Sequence, residues 1–84
     1  MDELYQRATD CAEQIKHILN RQARRDLFTM LNAVDSLLNQ LDAESVECRR
    51  LHKTTSRYET LKKQAEEQVL NLEKHLTLAR LMYT

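Results

Sequence analysis

Apolar residues recur along this chain at steps of three and four. Leu4, Ala8, Cys11, Ile15 and Ile18 form a first series. At about 100° per residue they share one narrow helical stripe. Tyr5, Ala12 and Leu19 widen it. Asp2 is the expected N-cap, and Glu3 with Arg7 makes a favourable i,i+4 pair. The first predicted helix covers about 2–20.

A second series runs through Leu27, Leu31, Val34, Leu38, Leu41 and Cys48, with Ser45 in the skipped slot. Its phase lies about 140° from that of the first. The polar stretch Asn20-Arg21-Gln22 and a cap at Asp26 predict a break between them. Met30, Ala33 and Leu37 add a neighbouring stripe, so this helix, about 26–52, is expected to lie between two others. Residues 52–57 are the most polar window. Ser56 followed by Glu59 matches the capping-box spacing. The phase then turns by about 200° into Leu61, Ala65, Val69, Leu72, Leu76, Ala79 and Tyr83, which predicts a third helix over 56–82.

That last helix carries more than one apolar side. Leu70, Leu78, Leu81 and Met82 project away from its stripe. A small bundle does not bury both sides of a peripheral helix, so these four are the candidate partner interface. The competing reading is a set of tolerated surface side chains at a fraying end.

Composition sharpens this picture. The 84 residues include no glycine and no proline, where average usage gives roughly six and four. Tight hairpin turns and phosphate-cradling loops therefore lack their usual residues. The expected fold is all-α: a three-helix antiparallel bundle, or an extended helical hairpin with coiled-coil packing. The chain reads as a single helical domain over 1–84. Domains of this size bury only about 60% of their unfolded surface, so a partner is a natural source of added stability.

Thirteen basic and thirteen acidic side chains cancel. Bulk charge thus gives no case for nucleic acid. No apolar run approaches the ~20 residues of a membrane span. The acidic start Met1-Asp2-Glu3 is unlike a signal peptide. The expectation is a cytoplasmic protein, at the cytosolic face of a membrane if a longer parent carries an anchor beyond Thr84. Any membrane contact is then indirect, or made through such an outside segment. Cys11 and Cys48 both fall on apolar stripes and read as reduced, buried thiols. His17, His52 and His75 show no metal-ligand spacing. The adjacent carboxylates Asp2-Glu3 and Glu66-Glu67 diverge on a helix, and the latter follow Lys62 and Lys63 by four residues, as on a solvated face. No catalytic, cofactor or metal site is expected. Arg21, Arg24 and Arg25 cluster at the first break, and Arg49, Arg50, Lys53, Arg57, Lys62 and Lys63 crowd the second. Complementing helix dipoles is their ordinary role. Docking an acidic protein or a membrane surface is the functional alternative.

The opening Met1-Asp2-Glu3-Leu4-Tyr5-Gln6 resembles that of the Golgi SNARE membrin family, and Tyr58–Arg80 is similar in character to the last helix of its N-terminal regulatory domain. That resemblance implies a three-helix domain acting in vesicle transport and membrane fusion. The second helix departs from the family pattern, and no zero-layer glutamine can be assigned. Tyr58-Glu59-Thr60-Leu61 with Ala65, Val69 and Leu76 is also similar to the second helix of small type III secretion needle co-chaperones. That implies a short helical hairpin masking an aggregation-prone partner. The functional expectation is a non-enzymatic protein–protein interaction module in a larger assembly, with vesicle trafficking as first setting. The alternatives are a chaperone or a homo-oligomeric coiled-coil scaffold. The partner is another helical protein or a second copy of the chain.

Overall fold

The computed structural model describes residues 2–83, and side chains over 3–82. Three helices follow in order: α1 (Asp2–Ile15), α2 (Arg21–Leu51) and α3 (Ser56–Tyr83). They pack as an up-down-up three-helix bundle, each helix touching both others. The phenol of Tyr5 donates to the Leu38 carbonyl, and Arg24 donates to that of Ile18, so α1 runs antiparallel to α2. Arg7 meets Glu73 and Gln14 meets Arg80, so α1 runs parallel to α3.

The core is what the stripes predicted. Ile15, Leu38, Leu41, Val69 and Leu72 are essentially inaccessible, and Leu4, Ala8, Cys11, Leu27, Leu31, Val34, Leu61, Ala65, Leu76 and Ala79 are buried around them. The expected widening residues divide. Tyr5, Ala12, Met30 and Leu37 pack against the core, whereas Leu19 and Ala33 are exposed. Tyr83, expected at the end of the α3 stripe, has a side chain outside the described residues.

The first break comes earlier than expected. α1 ends at Ile15, in a tight turn closed by His17 N–H to Gln14 O and Ile18 N–H to Ile15 O, each 3.1 Å. Ile18 plugs the core from the connection itself, only 1% exposed. Asn20 is the N-cap of α2, its side chain accepting from Ala23 N–H at 2.9 Å. Asp26, the expected cap, lies inside the helix and accepts from Gln22 instead. The polar residues of the supposed break are the exposed first turn of α2, and Asn is a strong cap in its own right.

The second connection is residues 52–55, within the expected window. The capping box at Ser56 does not form. Thr55 caps α3 one residue earlier, its hydroxyl accepting from Tyr58 N–H at 3.1 Å. α2 ends with the paired bonds of a Schellman motif, His52 N–H to Arg49 O and Lys53 N–H to Cys48 O. Here His52 takes the left-handed position, φ 56°, that glycine usually fills. Cys48, expected in the core, is only half-buried. Its sulfur accepts from Thr55 N–H at 3.5 Å.

The molecule measures 47 × 18 × 16 Å. A 31-residue helix is about 46 Å long, so α2 alone spans the long axis, while the 14 residues of α1 cover only about 21 Å of it. The register set by Tyr5 and Leu38 carries the end of α2 past the start of α1. There the last turns of α2 pair with the first turns of α3 as a two-helix tip.

Candidate interaction surface

All four candidate interface residues are exposed: Leu70 47%, Leu78 57%, Leu81 78% and Met82 68%. The fold places them in different settings. Leu78 and Met82 line a groove of about 380 Å³ between the start of α2 and the end of α3. Ala23, Leu27, Met30 and Ala79 supply the rest of its apolar wall, and Asn20, Gln22, Asp26 and His75 its polar rim. Leu70 borders another hollow, with Leu4, Glu3, Arg7, Lys62 and Glu66, where α1 meets α3. Leu81 lines neither and stands out from the last turn.

The groove follows from the helix phases. Helical rotation puts Leu78 and Met82, four residues apart, on one edge of α3. Ala23, Leu27 and Met30 follow the same spacing along α2, which lies alongside. α1 packs over the opposite side of the α2–α3 pair, so none of the described residues covers this one. Leu19, 79% exposed, precedes Asn20 at the rim and adds apolar surface at the same end. Sequence periodicity placed Met30 on the second stripe of α2 but had no means to pair it with Leu78 and Met82. Ala23 was read as part of a break.

The electrostatic contacts of Tyr5, Arg7 and Glu73 lie away from the groove, where α1 packs on its neighbours. The strongest polar contact between helices joins Arg7 of α1 to Glu73 of α3. Nε donates to Oε2 at 3.0 Å, and Nη2 meets Oε1 as the second arm of the fork. The side-chain hydrogen bond from Arg7 holds the Glu73 carboxyl below the usual glutamate range. The same bond raises the Arg7 guanidinium. The predicted Glu3–Arg7 pair is present at 4.0 Å but is the looser of the two Arg7 contacts. Burial pushes up the Tyr5 phenol, helped by Asp42 and Asp35, and burial likewise raises the Cys11 thiol. His17, His52 and His75 lie on the first connection, the tip and α3 respectively. Among the described residues no cluster of His, Cys, Asp and Glu side chains is placed to hold a metal ion, and no helix is long and apolar enough to cross a membrane.

The chain matches no protein-family model, no curated protein and no solved structure.

Proposed function

We propose that the protein is a non-enzymatic helical interaction module, and that it receives an apolar helix of another protein in the groove between the start of α2 and the end of α3. The observation that carries this reading is the groove, floored by Ala23, Leu27, Met30, Leu78, Ala79 and Met82, with Leu19 and Leu81 exposed at the same end. Exposed apolar surface gathered at one site and rimmed by polar groups is the usual form of a helix-docking groove. The titration shifts resolved in the chain arise from burial or from ion pairs on the bundle surface, which fits a binding role.

Vesicle trafficking is the first setting proposed. It rests on the resemblance of the opening residues to membrin. The three-helix arrangement also fits the domain which that resemblance implies, whereas the needle co-chaperones imply a two-helix hairpin.

The test uses two variants of the chain. Leu78→Ser with Met82→Ser removes apolar groove wall, and Leu38→Ala opens a cavity in the core. Light scattering after size exclusion reads self-association, and titration with a fluorescent leucine-rich amphipathic helix reads hetero-association. Truncating well-packed interface residues costs about 2 kcal/mol or more each, so the double variant is expected to lose association tenfold or more while keeping its helical signal. Leu38→Ala is expected to lose about 2–5 kcal/mol of stability. A double variant that melts as early as Leu38→Ala would assign Leu78 and Met82 to the core and overturn the reading. So would a wild-type chain that binds neither itself nor the helix. Self-association alone would make the protein a homo-oligomeric scaffold.

A further inference from the structure

The zero net charge conceals an uneven distribution. Residues 48–63 hold Arg49, Arg50, Lys53, Arg57, Lys62 and Lys63 against Glu59 alone. This stretch carries +5, and the remainder of the chain carries −5. All six cations are exposed. Arg49, Arg50, Lys53 and Arg57 surround the turn of the two-helix tip, and Lys62 and Lys63 follow on α3.

Helix electrostatics accounts for only part of this cluster. Arg49 and Arg50 sit in the last turn of α2, where cations are favoured. Arg50 is also held by Glu47. Lys53 and Arg57 sit just before and within the first turn of α3, where the same dipole disfavours them. Glu44 offsets Arg57 at 3.5 Å. Among the described residues, Arg49 and Lys53 have no ion-pair partner. The tip is also pinned. The Thr55 hydroxyl donates to Glu44 at 2.8 Å while Thr55 N–H donates to the Cys48 sulfur. At its apex Leu51, 39% exposed, ends α2 between Arg50 and His52.

We infer that this tip docks end-on against an anionic lipid surface, with Arg49, Lys53 and Arg57 facing the headgroup phosphates and Leu51 reaching the interface. Charge complementarity selects this occupant. Of the basic cluster only Lys62 lines one of the hollows described above. Arg49, Lys53 and Arg57 line neither, so these three project from the tip and do not wall a groove for a folded acidic peptide. A single nucleic-acid strand needs aromatic stacking platforms, and the aromatic residue near the tip, Tyr58, is half-buried. A flat, diffuse layer of negative charge asks only for a projecting cluster of cations. Standing on its tip, a molecule 47 Å long keeps most of its acidic remainder outside the Debye length of about 8–10 Å. The groove at the far end then faces away from the membrane, open to a partner. The basic residues of the second break were expected to complement helix dipoles, with docking of an acidic protein or a membrane surface as the alternative. The tip supplies a direct membrane contact that needs no hydrophobic span.

Sedimentation with lipid vesicles tests the inference. Phosphatidylcholine vesicles are compared with vesicles that also contain phosphatidylserine, at low and high ionic strength. The chain is expected to bind only the anionic vesicles and to leave them as salt rises. Each basic residue near such a surface contributes about fivefold in affinity. Arg49→Gln with Lys53→Gln should therefore weaken binding about tenfold or more, and Leu51→Ser should weaken it several-fold. Arg21→Gln with Arg25→Gln, at the opposite end, should leave it unchanged. Circular dichroism checks that each variant stays helical. The inference is overturned if the chain ignores anionic vesicles at low salt, or if the tip and far-end variants bind alike. Tighter binding to polyglutamate or single-stranded RNA than to the vesicles would assign the tip to another partner and overturn it too.

Discussion

His52 is the residue on which the absence of glycine bears most directly. Its φ of 56° lies in the left-handed region, which costs a residue with a Cβ about 1 kcal/mol. The two Schellman bonds and the packing of Thr55 against Cys48 hold it there. His52→Gly is expected to raise stability by about 0.5–1 kcal/mol, since glycine meets no steric penalty at this position. A thermal melt shifted upward by a few degrees would show it; a downward shift would mean that the imidazole contributes more than its backbone costs. The cysteines make a second test at this scale. Cys11 is buried and its thiol is pushed up by burial, which withdraws the reactive thiolate. Cys48 is half-buried beside Thr55. A bulky thiol reagent should therefore label the native protein in two phases, Cys48 first, and label both quickly once the chain is unfolded. Equal native rates would contradict the placement of Cys11. Sequence periodicity put both thiols on the same kind of stripe; it could not register that α1 stops short of covering Cys48.

Among the elements, α1 is the one most dependent on its neighbours. Isolated helices of its 14 residues are marginal in water. Its apolar stripe and the Arg7–Glu73 pair fasten it. Because the folded-state pKa of Glu73 is depressed, the stability linked to that group is present above the ordinary glutamate range. It is lost as pH falls through the depressed value. Both side chains are about one-third exposed, so solvent screening limits what the pair contributes. Glu73→Gln is expected to lower the melting temperature at neutral pH, and wild type and variant should converge in acid. Melts taken from pH 7 downward check this, and parallel curves at every pH would show that the pair contributes nothing. The connections tell a related story about capping. Asn20 and Thr55 cap α2 and α3 through side-chain oxygens, whereas Asp26 and Ser56 matched the same residue preferences one or more positions away. Several capping residues crowd each polar window, and local preference alone does not choose among them.

For the whole molecule, the unequal helix lengths matter most. A short α1 of 14 residues beside helices of 31 and 28 divides the rod into a three-helix body and a two-helix tip. The body buries the core and leaves the groove of Leu78 and Met82 on the side that α1 does not cover. The tip exposes the basic cluster. Partner binding and surface binding are thus proposed for opposite ends of one molecule 47 Å long, so variants at one end should leave the other function intact. Leu78→Ser with Met82→Ser is expected to retain binding to anionic vesicles even as helix binding falls. Joint loss in a chain that remains helical would mean that both readings describe a single surface.

Periodicity by itself determined the number of helices, their buried faces and the residues of the core, because a stripe of Leu31, Val34, Leu38 and Leu41 has only one way to leave water in a helix. It also identified Leu70, Leu78, Leu81 and Met82 as surplus to the core, since a 100° rotation per residue places them opposite Val69 and Leu72. Tertiary structure decided which of these surplus residues share a surface. That depends on the lateral neighbour, and only the packing of α2 against α3 brings Met30 beside Leu78 while leaving Leu70 with Leu4 and Arg7. Periodicity also put Ile18 in the core, as the last member of the first stripe; tertiary structure decided that it enters from the connection after α1 and not from the helix itself. The basic residues of the second break were plain in the sequence as a cluster. That they crown a projecting tip followed only once α1 was seen to end its contact with α2 near Leu38, leaving the last turns of the hairpin to stand beyond the body of the bundle.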